Sequence, residues 1–271
     1  MVQLIFVGIA AGIASALLLL APLSGGGLAF PLFVLTGLPI AIAGLGWGVY
    51  ASGIAVVAGV AVVLAVFPTP VPAVMFAGLY GLPMVWLTRL AGLWRDDNAD
   101  GVREWYPTGR ILLHASIVVA LGIVVVAYFA GYDPRVLSAD ATEALLGIFT
   151  ETAASSGSPP PTEESLRPFV EMYIAIMPFT TAVFLLAVTV FVLWLAAKIT
   201  VTSGRFARTG ERLWTVVAPN EILIGFGIAL VLALFLPGTL ASVAAVFAGS
   251  FACALALTGL AVLHAVTVGV A

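Results

Sequence analysis

Eight times along this chain the sequence runs for some 20 residues with scarcely a charge, at about 3–22, 28–47, 49–67, 71–93, 110–131, 168–197, 220–236 and 241–267. At 1.5 Å per residue a helix of that length is ~30 Å long, the thickness of the hydrocarbon layer of a bilayer. No water pairs with backbone N–H and C=O groups there, so a spanning segment has to satisfy them within itself, as a helix does. The expectation is an all-α polytopic bundle of about eight transmembrane helices, a single integral membrane domain over 1–271 whose surroundings are the lipid bilayer. Composition agrees. The chain is 62% hydrophobic and 8% charged, with a mean hydropathy of +1.20, against about 25% charged in soluble domains. The first run reads as a span rather than a secretory signal. No basic residue precedes it, and no A-x-A-like site follows at Ala21-Pro22-Leu23-Ser24.

Basic residues set the expected orientation. The stretch 89–110 carries Arg89, Arg95, Arg103 and Arg110, and the stretch 198–212 carries Lys198, Arg205, Arg208 and Arg212, together eight of the ten. The segment between them, 132–167, holds six carboxylates against Arg135 and Arg167. Positive-inside bias places loops 94–109 and 198–219 in the cytoplasm and 132–167 outside, with both termini inside, as in a bacterial inner membrane. All six tryptophans (Trp47, Trp86, Trp94, Trp105, Trp194, Trp214) fall at or near the basic side. Indole prefers an interface, where its ring is apolar and its N–H finds a partner. Its confinement to one side has no explanation in the sequence. In the outer loop, Asp140 and Glu143 form a capping-box-like pair that opens a short interfacial helix over about 140–150. A flexible, proline-stiffened linker, Ser155 to Thr162, follows.

Scarce residue types exclude much chemistry. Lys198 is the only lysine, so no phosphate-binding P-loop and no lysine Schiff base elsewhere can form. Cys253 is the only cysteine, which rules out an intrachain disulfide. His114 and His264 are too few for a standard zinc site without carboxylates. No carboxylate sits mid-span; Glu171 and Glu221 lie in first turns, and a proton- or sodium-driven carrier usually needs such a group at depth. The reading is a non-enzyme with no catalytic, cofactor-binding or metal residues, and with no nucleic-acid partner.

Three features are candidates for function. The second, fourth and sixth runs carry interior Pro39, Pro83 and Pro178, whereas the first, third, fifth and seventh have no interior proline. A proline leaves the carbonyl four residues earlier without its donor, here on Leu35, Leu79 and Ile174. Thr36, Tyr80 and Thr180 lie close by, so three kinked helices can border one polar substrate pocket; kinks packed internally are the plainer reading. The segments Leu35-Thr36-Gly37-Leu38-Pro39 and Leu79-Tyr80-Gly81-Leu82-Pro83 share a Gly-Leu-Pro core and suggest a parallel two-helix repeat. On the first run, Gly8, Gly12 and Ala16 form a small-residue stripe that lets another helix approach closely, either within the chain or as a docking face for a partner subunit.

Leu38-Pro39-Ile40 with Gly44-Leu45-Gly46-Trp47-Gly48, then Tyr106-Pro107-Thr108-Gly109-Arg110 and the closing run Gly259 to Thr267 around His264-Ala265, resemble the YybS-like bacterial membrane proteins, a family built on a domain of unknown function. The resemblance spans nearly the whole chain, although members often continue with one or two more helices. It implies a distant similarity to the substrate-binding components of energy-coupling-factor transporters. Those capture a small molecule from outside and depend on a membrane coupling subunit and an ATPase. They often carry an Ala-x-x-x-Ala docking face on their first helix, to which Gly8-Gly12-Ala16 is similar in kind. The expected function is therefore a small-molecule substrate-binding or transport component that relies on partner subunits for energy. The alternative is a non-transport scaffold, assembly or regulatory protein of the membrane.

Overall fold

The computed structural model describes residues 1–96, 103–156, 159, 161–208 and 216–267. Almost all of them are helical. Helix α1 (Val2–Leu20) ends in a 3-10 turn, Ala21–Ser24. The second span is broken into α2 (Ala29–Val34) and α3 (Leu38–Trp47). A single residue, Gly48, joins α3 to α4 (Val49–Val66) at φ 90°, a conformation that needs glycine because a Cβ would clash there. The fourth span is composite: α5 (Val71–Met75), a π turn over Phe76–Gly81, and α6 (Leu82–Ala91). A two-stranded hairpin follows, β1 (Trp94–Asp96) antiparallel to β2 (Arg103–Trp105). The chain continues through α7 (Thr108–Phe129), α8 (Pro134–Ser156), α9 (Glu163–Thr202), α10 (Asn220–Phe235) and α11 (Gly238–Thr267).

Seven of these helical segments are long and apolar enough to cross a membrane. The eighth expected span differs. Helix α10 has 16 residues, ~24 Å at 1.5 Å each, short of a ~30 Å hydrocarbon layer. Pro219 precedes it and Pro237 stops it, and a proline has no N–H to extend the ladder. The helix expected over 140–150 also departs from expectation. It begins at Pro134, not Asp140, because Asp133 supplies a better start: its carboxylate accepts from the Arg135 N–H at 2.8 Å and its carbonyl from the Leu137 N–H at 3.0 Å. Asp140 is therefore a mid-helix residue. Positions 157, 158 and 160 of the expected linker lie outside the described residues, as does Trp214.

Packing centres on α3, which touches α1, α4, α6 and α9. Helices α7, α9 and α11 pack together beside it, with α10 lying on α11. Ile40, Phe76, Met84, Leu87 and Leu186 are among the largest fully buried side chains. Polar groups inside this apolar bundle bond to their own helix. Thr88 Oγ1 donates to the Met84 carbonyl at 2.7 Å, Ser116 Oγ to Leu112 at 3.0 Å, and Thr200 Oγ1 to Ala196 at 2.8 Å. Such back-bonding satisfies a hydroxyl without calling on a neighbour. The Ser15 and Ser250 hydroxyls, equally buried, have no such partner.

Connectivity segregates charge. The hairpin and the segment after α9 meet at one end of the bundle, and α8 lies against α9 and α11 at the other. The first is the basic face, the second the acidic one.

Candidate functional site

The three proline-bearing spans are neighbours, since α3 touches both α6 and α9 and α6 touches α9. Their hydroxyls do not converge. Thr36 is fully buried, but its Oγ1 donates to the Phe33 carbonyl at 2.6 Å. Tyr80 is buried too, its ring edge-on to Phe33 with centroids 5.7 Å apart. Both lie against Phe33. Thr180, by contrast, lies on the exposed side of α9 and bonds back to the Met177 carbonyl at 3.1 Å. It corrects the expectation of a three-hydroxyl pocket: two residues past Pro178 is half a turn around the helix, so a buried proline turns that threonine outward.

One of the three proline carbonyls, that of Leu35, has a partner within the chain. Pro39 stands in the first turn of α3, where its missing N–H is no loss, and the Leu35 carbonyl accepts from Leu38 at 2.9 Å. Pro83 likewise opens α6 after the π turn, where the Leu82 N–H reaches back five residues to Ala77. Helix α9 runs through Pro178 without a break, and that proline is buried. Gly249 of α11 packs so closely on the Phe179 carbonyl that a Cβ there would overlap it. Around Gly37 the space is filled by Met84 and Val192. Both Gly-Leu-Pro segments thus mark a helix restart, and what surrounds them is packed side chain.

The small-residue stripe is already in use. Gly8, Gly12 and Ala16 are buried against α4. A Cβ on Gly8 would stand 2.8 Å from the Ala51 carbonyl oxygen, and one on Gly12 would overlap the Ala55 carbonyl. This face holds the chain's own third span, which leaves it closed to a partner. The reason is geometric: two backbones this close leave no room for a third helix.

A polar recess does exist, where the sequence predicts a loop with a short interfacial helix. Between α8 and the first turns of α9 a groove of about 610 Å³ opens at the acidic face. Arg135, Ser138, Thr142 and Glu143 line it from α8, and Glu163, Arg167 and Glu171 from α9. Arg167 Nε bonds to Glu171 Oε1 at 2.9 Å, so α9 presents a neutralised pair one turn above Glu163. The hydrogen bond and charge of Glu171 hold the Arg167 guanidinium above its usual range. The lining offers both signs of charge and two hydroxyls, with Leu146 as its apolar part. A signal was present in the sequence: Arg135, Ser138 and Thr142 follow at three- and four-residue spacing, one face of a helix, with Glu143 beside Thr142.

At the opposite end, arginines sit on the indoles. Arg205 lies 4.5 Å above the Trp47 ring, Arg103 4.5 Å above Trp94, Arg89 5.9 Å above Trp86 and Arg208 6.0 Å above Trp105. Arg208, 8% exposed, also donates to the Ala91 carbonyl at 3.3 Å and to Thr108 Oγ1 at 2.8 Å, bridging the end of α6 and the start of α7. This accounts for four tryptophans on one side: where arginine is concentrated, each indole face has a cation to hold. His114 lies 3.3 Å from the Tyr106 hydroxyl by Nε2 and edge-on to Trp86, a packed interfacial group. Among the described residues, no three His, Cys, Asp or Glu side chains gather at metal-binding distance. Compared with family models, with curated proteins and with solved structures, the chain matches none.

Proposed function

We propose that this chain is a solute-capturing component of a transport system in a bacterial inner membrane. It crosses eight times, the 16-residue α10 counted as a short span, with both termini in the cytoplasm, and draws energy from a membrane coupling subunit and an ATPase. The observation that carries the reading is the groove between α8 and α9. It is an open surface groove whose lining carries both signs of charge and two hydroxyls, and ligand sites characteristically combine volume with a few convergent polar groups. Arg135 and Glu143, two turns apart on one face of α8, suit a small solute carrying both an anionic and a cationic group. The positive-inside bias puts this groove outside, where a capture protein meets its solute. The resemblance to the YybS-like proteins points the same way. The single lysine supports the reading of reliance on partners, since this sequence has no P-loop to bind ATP.

Purification from native membranes into nanodiscs, followed by mass spectrometry of small molecules and proteins, tests this. The wild type should retain a zwitterionic solute and bring a membrane partner with it. Arg135→Ala and Glu143→Ala should each lose the solute while keeping the partner. Retention that is equal in all three proteins, or a solute-free wild type, refutes capture in this groove.

A second reading, a membrane scaffold or assembly protein, draws on the dense packing around Thr36 and Tyr80 and on the ordered basic cap. It expects protein partners in the same experiment and no solute.

A further inference from the structure

The basic face carries a second recess, about 360 Å³, between the hairpin and the start of α7, lined by Trp94, Arg95, Glu104, Tyr106 and Arg110 among others. We propose that it binds the phosphate of an anionic phospholipid, whose acyl chains lie along the adjoining faces of α6 and α7.

Charge is the first support. Glu104 is engaged by Arg95 at 2.6 Å, and Asp96 stands opposite Arg103 in the hairpin register. Among the described residues no carboxylate pairs with Arg110 or with Arg89, and both are exposed. Arg89 is held only over the ring of Trp86, which directs a guanidinium without neutralising it. Arg110 lines the recess and Arg89 lies one turn before Leu93, which also lines it; guanidinium groups bind phosphate through paired N–H donors.

Position is the second. Trp86 and His114 touch across the α6–α7 seam, with centroids 5.9 Å apart. Leu82 lies one turn above Trp86, and Leu121 and Val125 lie two and three turns above His114, on the same faces. All three are exposed apolar side chains. The recess therefore opens at the foot of an apolar track that rises into the hydrocarbon layer. Trp94 and Tyr106 line the recess at that boundary, where amphipathic rings belong. A free phosphate would make no use of the track; a phospholipid uses both parts.

Native mass spectrometry of the full chain, delipidated and then offered equal amounts of phosphatidylglycerol and phosphatidylcholine, reads this directly. Phosphatidylglycerol should be retained preferentially. Arg110→Gln should lower its occupancy about fivefold, the scale of one arginine at a membrane surface, and Arg89→Gln, one turn from the recess, by less. Lys198→Gln, at the same end but not lining the recess, should leave it unchanged, as should millimolar inorganic phosphate. Three outcomes overturn the proposal. These are equal retention of phosphatidylcholine, an equal loss in Lys198→Gln (a diffuse field in place of a site), and displacement of the lipid by inorganic phosphate (a free-anion site).

Discussion

Replacing Gly12 by alanine adds one methyl group to the seam between α1 and α4. That methyl would overlap the Ala55 carbonyl oxygen and stand 2.9 Å from both the Ala58 Cβ and the Gly59 nitrogen. Carbon–carbon contacts are comfortable at about 3.5–4.0 Å, so the two helices must part by ~1 Å. Two of the three clashing atoms are backbone, which cannot swing away as a side chain would. A gap of that size forfeits a quarter to a half of each dispersion contact along the seam, and overpacking a close-fitting site typically costs about 1–3 kcal/mol. Gly12→Ala should therefore lower unfolding stability by that amount, and Gly12→Leu by more. The natural control is Gly53 on α4, around which a Cβ meets nothing within 4 Å; Gly53→Ala should be neutral or stabilising by up to ~1 kcal/mol. Reversible unfolding in mixed detergent micelles, followed by circular dichroism, measures both. Equal stability of Gly12→Ala and Gly53→Ala would refute the tight seam. If Gly12→Ala instead left stability untouched and released a copurifying protein, the stripe would be a partner's docking face after all.

Other substitutions probe the rest of the molecule. Arg208→Gln removes charged hydrogen bonds to Ala91 and Thr108 and should cost about 1.5–3 kcal/mol in the same unfolding assay; no change would mean that the clamp between α6 and α7 is idle. Tyr80→Phe keeps the edge contact with Phe33 and should alter stability by less than about 1 kcal/mol, whereas Tyr80→Ala should cost about 3–5 kcal/mol; loss of solute retention in Tyr80→Phe would restore the proline region as a binding site. For orientation, buried Cys253 is first replaced by alanine, and single cysteines are placed at Ser156, Asn98 or Thr209. An impermeant thiol reagent should label only the first in intact cells, and labelling at Asn98 from outside would invert the topology.

Much of this molecule is legible in the order of its residues, for a reason of scale. Whether a segment spans a membrane depends on the transfer of some 20 consecutive side chains, a local sum that a single span settles. The Gly48 hinge, the proline-bounded α10 and the gathering of arginine at one end follow from such local rules. Tertiary structure decided what local rules leave open, namely which face of each helix meets which neighbour. Gly8, Gly12 and Ala16 announce a close contact, but only the placement of α4 shows that the contact is internal. Thr36 and Thr180 each lie within three residues of a proline, yet one is sealed in the core and the other points outward, because burial depends on the packing of distant spans. The arginine–tryptophan pairs join residues as far apart as Trp47 and Arg205. The groove at the acidic face exists only because α8 folds back on α9. Side chains that bind by converging come from separate segments, and no sum over neighbours along the chain contains the angle at which two helices meet.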